Sequence, residues 1–145
     1  MIFWDSSAII PLFIEESCSA VLQEIVLKDM GMVIWWGTVL ECRSALSRSQ
    51  REGKITDSEE DQALEIIRQM SEAWSEVLPG EKIRSIAARL LMTHPLRAAD
   101  ALQLAAAIIW ADESETACRF ICLDKRLRYA ARKEGFSVLP DGSAC

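Results

Sequence analysis

The chain has 145 residues, a hydrophobic fraction of 50%, a charged fraction of 26% and a formal net charge of −6. That length fits one domain with a core of its own, and the composition excludes a disordered or low-complexity chain. The start, MIFWDSSAII, lacks the positive region of a signal peptide, and the longest apolar run, Ala101 to Ala111, holds Gln103 and is too short to cross a bilayer, so a soluble cytoplasmic protein with no membrane partner is expected.

Met1 to Trp4 is a short apolar run ending at Asp5-Ser6-Ser7, and the mainly apolar AIIPLFIEE follows; a strand, a turn and a helix are expected. A second helix should cover Cys18 to Lys28, with Val21, Leu22, Ile25 and Val26 on one face and Gly31 beyond its end. Met32 to Trp35 reads as a strand. Thr38-Val39-Leu40-Glu41 has the S/T-x-x-E form of a capping box and opens a helix that runs to about Gln50, closed by Gly53. Another helix begins near Asp57 and continues to about Ala73, with Ala63, Leu64, Ile67 and Met70 inward. Ser75 to Leu78 is a short strand, Pro79-Gly80 turns the chain into a helix of Glu81 to Met92, and His94-Pro95 breaks that helix. Residues 96–110, LRAADALQLAAAIIW, are rich in strong helix formers, and Leu102, Ala105, Ala106 and Ile109 recur at the spacing of a buried helical face. Arg119 to Leu123 reads as a buried strand ending at Asp124, followed by a basic helix from Lys125 to Lys133, a capping Gly135 and a last strand from Phe136 to Leu139. Strands alternating with helices indicate a single α/β domain over residues 1–139, a mainly parallel sheet with helices on both faces, and a C-terminal tail over 140–145.

Cys18, Cys42, Cys118, Cys122 and Cys145 are odd in number and form no C-x-x-C pair, and His94 is the only histidine. Neither a disulfide framework nor a structural zinc site is expected, and reduced thiols fit a cytoplasm. The negative net charge counts against a nucleic-acid partner, but it is unevenly spread. Arg43, Arg48, Arg51 and Lys54 face only Glu52 in residues 43–54, and Arg119, Lys125, Arg126, Arg128, Arg132 and Lys133 face only Asp124 in residues 119–133. Residues 57–65 carry Asp57, Glu59, Glu60, Asp61 and Glu65 with no base. Each basic segment is either a solvated helix face or a patch that attracts phosphate.

In open α/β sheets the ligand crevice lies beyond the carboxyl ends of the strands. Asp5 closes the first strand, Glu41 lies at the start of the helix after the second, Asp124 closes the fourth, and Asp100 stands in the first turns of the helix before it. Each has an ordinary reading alone: Asp5 and Asp124 as N-caps, Glu41 as the partner of Thr38, Asp100 as a helix-dipole partner paired with Arg97 three residues earlier. Together at one edge they would repel one another without a counter-charge. A hard divalent cation, Mg²⁺ or Mn²⁺, takes such oxygen ligands, generates a hydroxide nucleophile and neutralises charge developing on a phosphoryl group.

These residues resemble the PIN domain nucleases and, within them, the VapC-type toxins of bacterial toxin–antitoxin pairs. Asp5-Ser6-Ser7-Ala8 is similar to the family's opening motif, Glu41-Cys42-Arg43-Ser44-Ala45-Leu46 to its second, residues 94–105 (HPLRAADALQLA) to its third, and Leu123-Asp124-Lys125-Arg126-Leu127 to its fourth. The resemblance spans nearly the whole chain. It implies a parallel sheet flanked by helices, Mg²⁺- or Mn²⁺-dependent cleavage of RNA, a homodimer and inhibition by a small antitoxin, and it carries Asp5, Glu41, Asp100 and Asp124 over as metal-site acids. Cys122 departs from the Ser or Thr that the family often has two residues before its last Asp, and a thiol is the weaker donor. Ser6 is either a turn or cap residue or an aid to water and phosphate, and Arg97 either holds Asp100 or reaches RNA phosphate. One of Trp35 and Trp36 should be buried, since neighbours on a strand face opposite ways, and either can stack an unpaired base. His94 reads as a loop residue rather than a base. The expectation is a metal-dependent endoribonuclease acting as a toxin. A non-enzymatic receiver or binding domain on a similar fold is the alternative, and a receiver leaves Glu41 and Asp100 without a role. A haloacid-type phosphatase would carry D-x-D, whereas Ser7 stands two residues after Asp5.

Overall fold

The computed structural model describes residues 1–115 and 118–142. Within them five strands, β1 (Ile2–Trp4), β2 (Met32–Trp35), β3 (Ser75–Val77), β4 (Arg119–Ile121) and β5 (Ser137–Leu139), pair in parallel in the order β3-β2-β1-β4-β5. The helices are α1 (Ser6–Ile9), α2 (Ser19–Lys28), α3 (Thr38–Arg51), α4 (Asp57–Ser71), α5 (Glu81–Thr93), α6 (Ala98–Asp112) and α7 (Lys125–Lys133), with a 3₁₀ turn at Ile10–Leu12. Successive side chains of a strand point to opposite faces. Phe3, Val33, Trp35 and Phe120 therefore enter one core with α5, α6 and α7, and Ile2, Trp4, Met32, Ile34 and Ile121 enter a second with α1 to α4. Helices cover both faces, which is why the central strands β1 and β2 read as unbroken apolar runs rather than alternating ones. The strand order reverses at β1, so the carboxyl ends of β1 and β4 flank the switch point at which a ligand crevice opens.

Short connections fix what reaches that crevice. Between β2 and α3 only Trp36 and Gly37 intervene, and a Cβ on Gly37 would stand 2.5 Å from Trp35 Nε1. Glycine is what lets the chain pass over the Trp35 indole and begin α3 at once. Trp35 is buried and Trp36 is 48% exposed, the division expected of neighbours at a strand end. On α6, the fully buried Ala101, Ala105, Ala106 and Ala107 present little bulk, so the helix lies close to its neighbours with Asp100 in its first turn.

Several local expectations are corrected. Residues 5–7 do not form a turn before a long helix: Asp5 is the N-cap of α1, Ser6 and Ser7 are already helical, and α1 stops after Ile9. Pro11 has no N–H to give the Ser7 carbonyl, so the helix tightens into the 3₁₀ turn and Phe13 and Ile14 lie beyond it. Thr38 and Glu41 form no capping box, because Gly37 occupies the N-cap position and makes no side-chain bond there. A capping box closes instead at Thr56 and Glu59, at the start of α4. The expectation of uniformly reduced thiols holds for Cys42, Cys118 and Cys122 but not for Cys18, which is disulfide-bonded. The Arg128 guanidinium donates to the carbonyls of Cys122, Leu139 and Pro140 and ties the last strand to α7; residues 143–145 of the expected tail lie outside the described residues. Among the described residues no helix is long and apolar enough to cross a membrane.

Candidate active site

Asp5 is placed by β1. Its backbone N–H donates to Ile121 O of β4 at 2.9 Å, and its extended backbone caps α1. The carboxylate is 3% exposed, and its Oδ2 accepts from both the backbone N–H and the hydroxyl of Ser7. The Ser7 oxygen in turn accepts from the Leu123 N–H at 2.9 Å, so one hydroxyl links the ends of β1 and β4. Cys122 Sγ lies 3.6 Å from the same Asp5 oxygen. Burial pushes Asp5 up from 3.8 to about 6; the Ser7 bonds oppose that shift, and the charges of Glu41 and Asp100 add to it.

Glu41, in the first turn of α3, is held at both oxygens: Oε2 accepts from the Ser6 hydroxyl at 2.7 Å, and Oε1 from Gln103 Nε2 at 3.0 Å. Burial raises its carboxyl above the ordinary range, and the Asp100 charge adds to the rise. Asp100 is also raised, first by burial and then by the charge of Asp124, while Arg97 and Arg126 draw it down. Its carboxylate bonds the backbone N–H of Arg97, and the Arg97 guanidinium acts on it through space; the expected side-chain pair is replaced by an amide contact at the helix start. Asp124 caps α7, its Oδ1 accepting from the Leu127 N–H at 2.9 Å.

Glu41, Asp100 and Asp124 line one cleft of about 760 Å³, together with Ser6, Ser44, Arg48, Arg97 and Arg126. Asp5 is coupled to Glu41 and Asp100 by charge but is not part of the wall. The donors are hard oxygens of the kind that Mg²⁺ and Mn²⁺ prefer, and Asp5, Glu41 and Asp100 are raised first by burial, with the charge of neighbouring acids adding to it. Among the described residues no three His, Cys, Asp or Glu groups are gathered tightly enough to hold an ion as they stand. Each acid is instead held by a neutral neighbour, Ser7 for Asp5, Ser6 and Gln103 for Glu41, and backbone N–H groups for Asp100 and Asp124. His94 is remote from this chemistry: it ends α5 and its Nε2 lies 2.7 Å from Glu134 Oε1.

Sequence reading missed Ser7, Gln103, Arg48 and Arg126 as members of this neighbourhood. Gln103 had a signal, since a single amide in the apolar run of residues 101–111 must find buried partners. The basic segments divide: Arg48 and Arg126 reach the cleft, whereas Arg119 pairs with Asp29 and Arg128 serves backbone carbonyls.

No family model and no curated protein matches the chain. Among solved structures it is similar to a chain of a toxin-antitoxin complex from Klebsiella pneumoniae, at 15% identity over 87% of this chain and 89% of that one, with a TM-score of 0.63. It is also similar to a chain of FitAcB from Neisseria gonorrhoeae, at 17% identity over 97% of each chain and a TM-score of 0.65. At these identities the likeness is one of fold.

Proposed function

We propose that the protein is a metal-dependent endoribonuclease of the PIN type and the toxin of a toxin–antitoxin pair. The observation that carries this reading is the convergence of Glu41, Asp100 and Asp124, from the starts of three different helices, on one cleft at the carboxyl edge of a parallel sheet, with the buried Asp5 coupled by charge to Glu41 and Asp100. The fold likeness to chains from a toxin-antitoxin complex and from FitAcB supports the biological half of it. In this reading Asp5, Glu41, Asp100 and Asp124 hold Mg²⁺ or Mn²⁺, which when bound supplies an activated water and offsets charge on the phosphoryl oxygens. Ser6 keeps Glu41 turned toward the cleft. Arg48, Arg97 and Arg126 attract the phosphates of the RNA to an otherwise acidic wall, and the half-exposed Trp36 offers a face on which an unpaired base can stack.

A cytoplasmic nuclease requires restraint. A small antitoxin would quench the cleft by placing an Arg or Lys among the acids, satisfying their charge without a cation, and a homodimer is the expected assembly of the toxin. The test is cleavage of RNA by the purified protein. Activity should vanish with excess chelator, return with Mg²⁺ or Mn²⁺, and fall about a hundredfold or more in Glu41→Gln and Asp100→Asn proteins that melt near the wild-type temperature. Cleavage undiminished by chelator would overturn the metal mechanism. Toxicity unaffected by co-expression of a neighbouring short reading frame would remove the toxin assignment and leave the nuclease.

A further inference from the structure

Gln103 is a fully buried amide in a helix whose other buried residues are Ala and Leu. Such a group costs stability unless every polar atom finds a partner. Both of its N–H donors are used on α3: Nε2 lies 3.0 Å from the Thr38 hydroxyl and 3.0 Å from Glu41 Oε1. Its own Oε1 takes a longer contact, 3.4 Å, from Thr38 Oγ1. Thr38 is itself fully buried in the first turn of α3, one turn before Glu41. The network therefore crosses from α6 to α3 and ends on a carboxylate of the cleft.

We infer that Gln103 is a positioning residue for Glu41, fixing that carboxylate from α6 and thereby setting its place relative to Asp100, which stands one turn earlier on the same helix. The catalytic consequence rests on the nuclease reading above; the positioning itself does not. Two features of the residue type fit this role. An amide donates without bringing charge, so it orients Glu41 and leaves its negative charge available, where a Lys or Arg at 103 would cancel that charge. Gln103 and Ser6 take opposite oxygens of Glu41 from two different elements, which removes the carboxylate's freedom to rotate. The sharing of one helix by Asp100 and Gln103 means that α6 delivers an acid and the clamp of a second acid together.

The experiment replaces the amide by an unbranched apolar chain, Gln103→Met, and pairs it with Thr38→Val/Gln103→Met, which also removes the stranded Thr38 hydroxyl and safeguards the fold. RNA cleavage should lose about 10–100-fold in kcat with KM for RNA within about twofold of wild type, and Mn²⁺ affinity measured by calorimetry without RNA should weaken by about tenfold. In a Glu41→Gln background neither substitution should weaken Mn²⁺ binding further, because the group acted upon is gone. A lowered melting temperature with kcat and Mn²⁺ affinity unchanged would reduce Gln103 to a packing residue and overturn the inference, as would an equal loss in the Glu41→Gln background. The ¹³C resonance of the Glu41 carboxyl in metal-free protein reads the positioning directly: it should be displaced or split in both variants. If the wild-type protein takes up no Mn²⁺ and cleaves no RNA, the nuclease reading falls and this resonance alone decides, an unmoved signal overturning the role of Gln103 and a displaced one supporting it.

Discussion

Ser6 and Ser7 are neighbours with divided duties. Ser6 donates to Glu41 across to α3, while Ser7 donates to Asp5 and accepts from the Leu123 N–H beyond β4. The Ser7 hydroxyl thus satisfies a donor and an acceptor at the same time, and its removal leaves both short of a partner. Ser7→Ala should cost about 1–3 kcal/mol of stability, the range for stranding a poorly solvated polar group, and urea denaturation measures it. A loss under half a kilocalorie would mean that water replaces the hydroxyl. Sequence reading could name a serine after a strand-end acid as an aid to the site. It could not say which of the two points where, because the choice depends on α1 starting at Ser6, and that start follows from Asp5 acting as its cap. The four acids were legible because their positions follow from element boundaries alone. Their clamps were not, since Gln103 lies 62 residues from Glu41 in the chain.

TVLE at 38–41 and TDSE at 56–59 both have the S/T-x-x-E form before a helix, and of these two the structure uses only the second as a capping box. At Thr56 the chain arrives extended and exposed, with φ −80 and ψ 165, so the hydroxyl can turn back to the Glu59 N–H at 3.1 Å. At Thr38 the two-residue connection from β2 puts Gly37 at the cap and Thr38 already inside the helix, with its hydroxyl drawn to Gln103. Tertiary contacts thus redirect a local signal, and the effect is to release Glu41 for the cleft. Elements were otherwise legible because the central strands β1 and β2 are apolar runs and helices such as α4 and α5 carry one apolar face. The early end of α1 turns on Pro11, a proline that has no N–H to continue the helix. Thr56→Ala should destabilise the protein by about 1 kcal/mol and leave the proposed RNA cleavage, measured per folded molecule, unchanged. Reduced cleavage with unaltered melting would place α4 in the working of the site, against its position here.

At the scale of the molecule, a formal charge of −6 coexists with a cleft walled by both acids and arginines, so the average charge says little about the partner. The acids of the cleft also make the fold's stability depend on pH in a definite direction. Asp5 holds its proton to about pH 6 in the folded state against an ordinary 3.8, so the folded protein binds that proton more tightly than the unfolded chain. Stability contributed by this group is present in full below the lower value and is lost as pH rises through the higher one, a difference of about 3 kcal/mol for a shift of roughly two units. Glu41 and Asp100 are raised as well and act in the same direction. Asp29 and Glu134, lowered by their bonds to neighbouring cations, act in the opposite direction. Their contribution is present above the ordinary carboxylate values of 3.8 and 4.5 and is lost only as pH falls below these. Metal-free protein should therefore melt at a higher temperature at pH 5 than at pH 7.5, and Asp5→Asn should flatten most of that difference. Saturating Mn²⁺ should stabilise the fold at pH 7.5 by mass action, by about 2.7 kcal/mol at a hundred times its dissociation constant, and so raise its melting temperature, and do less at pH 5, where protons compete for the same oxygens. The two effects together would bring the melting temperatures at the two pH values closer together. Calorimetric scans at both values, with chelator and with Mn²⁺, measure all four; a wild-type curve that is flat with pH in chelator would show that Asp5 is not buried as a charge, and equal Mn²⁺ stabilisation at both pH values would show that the ion binds away from these acids.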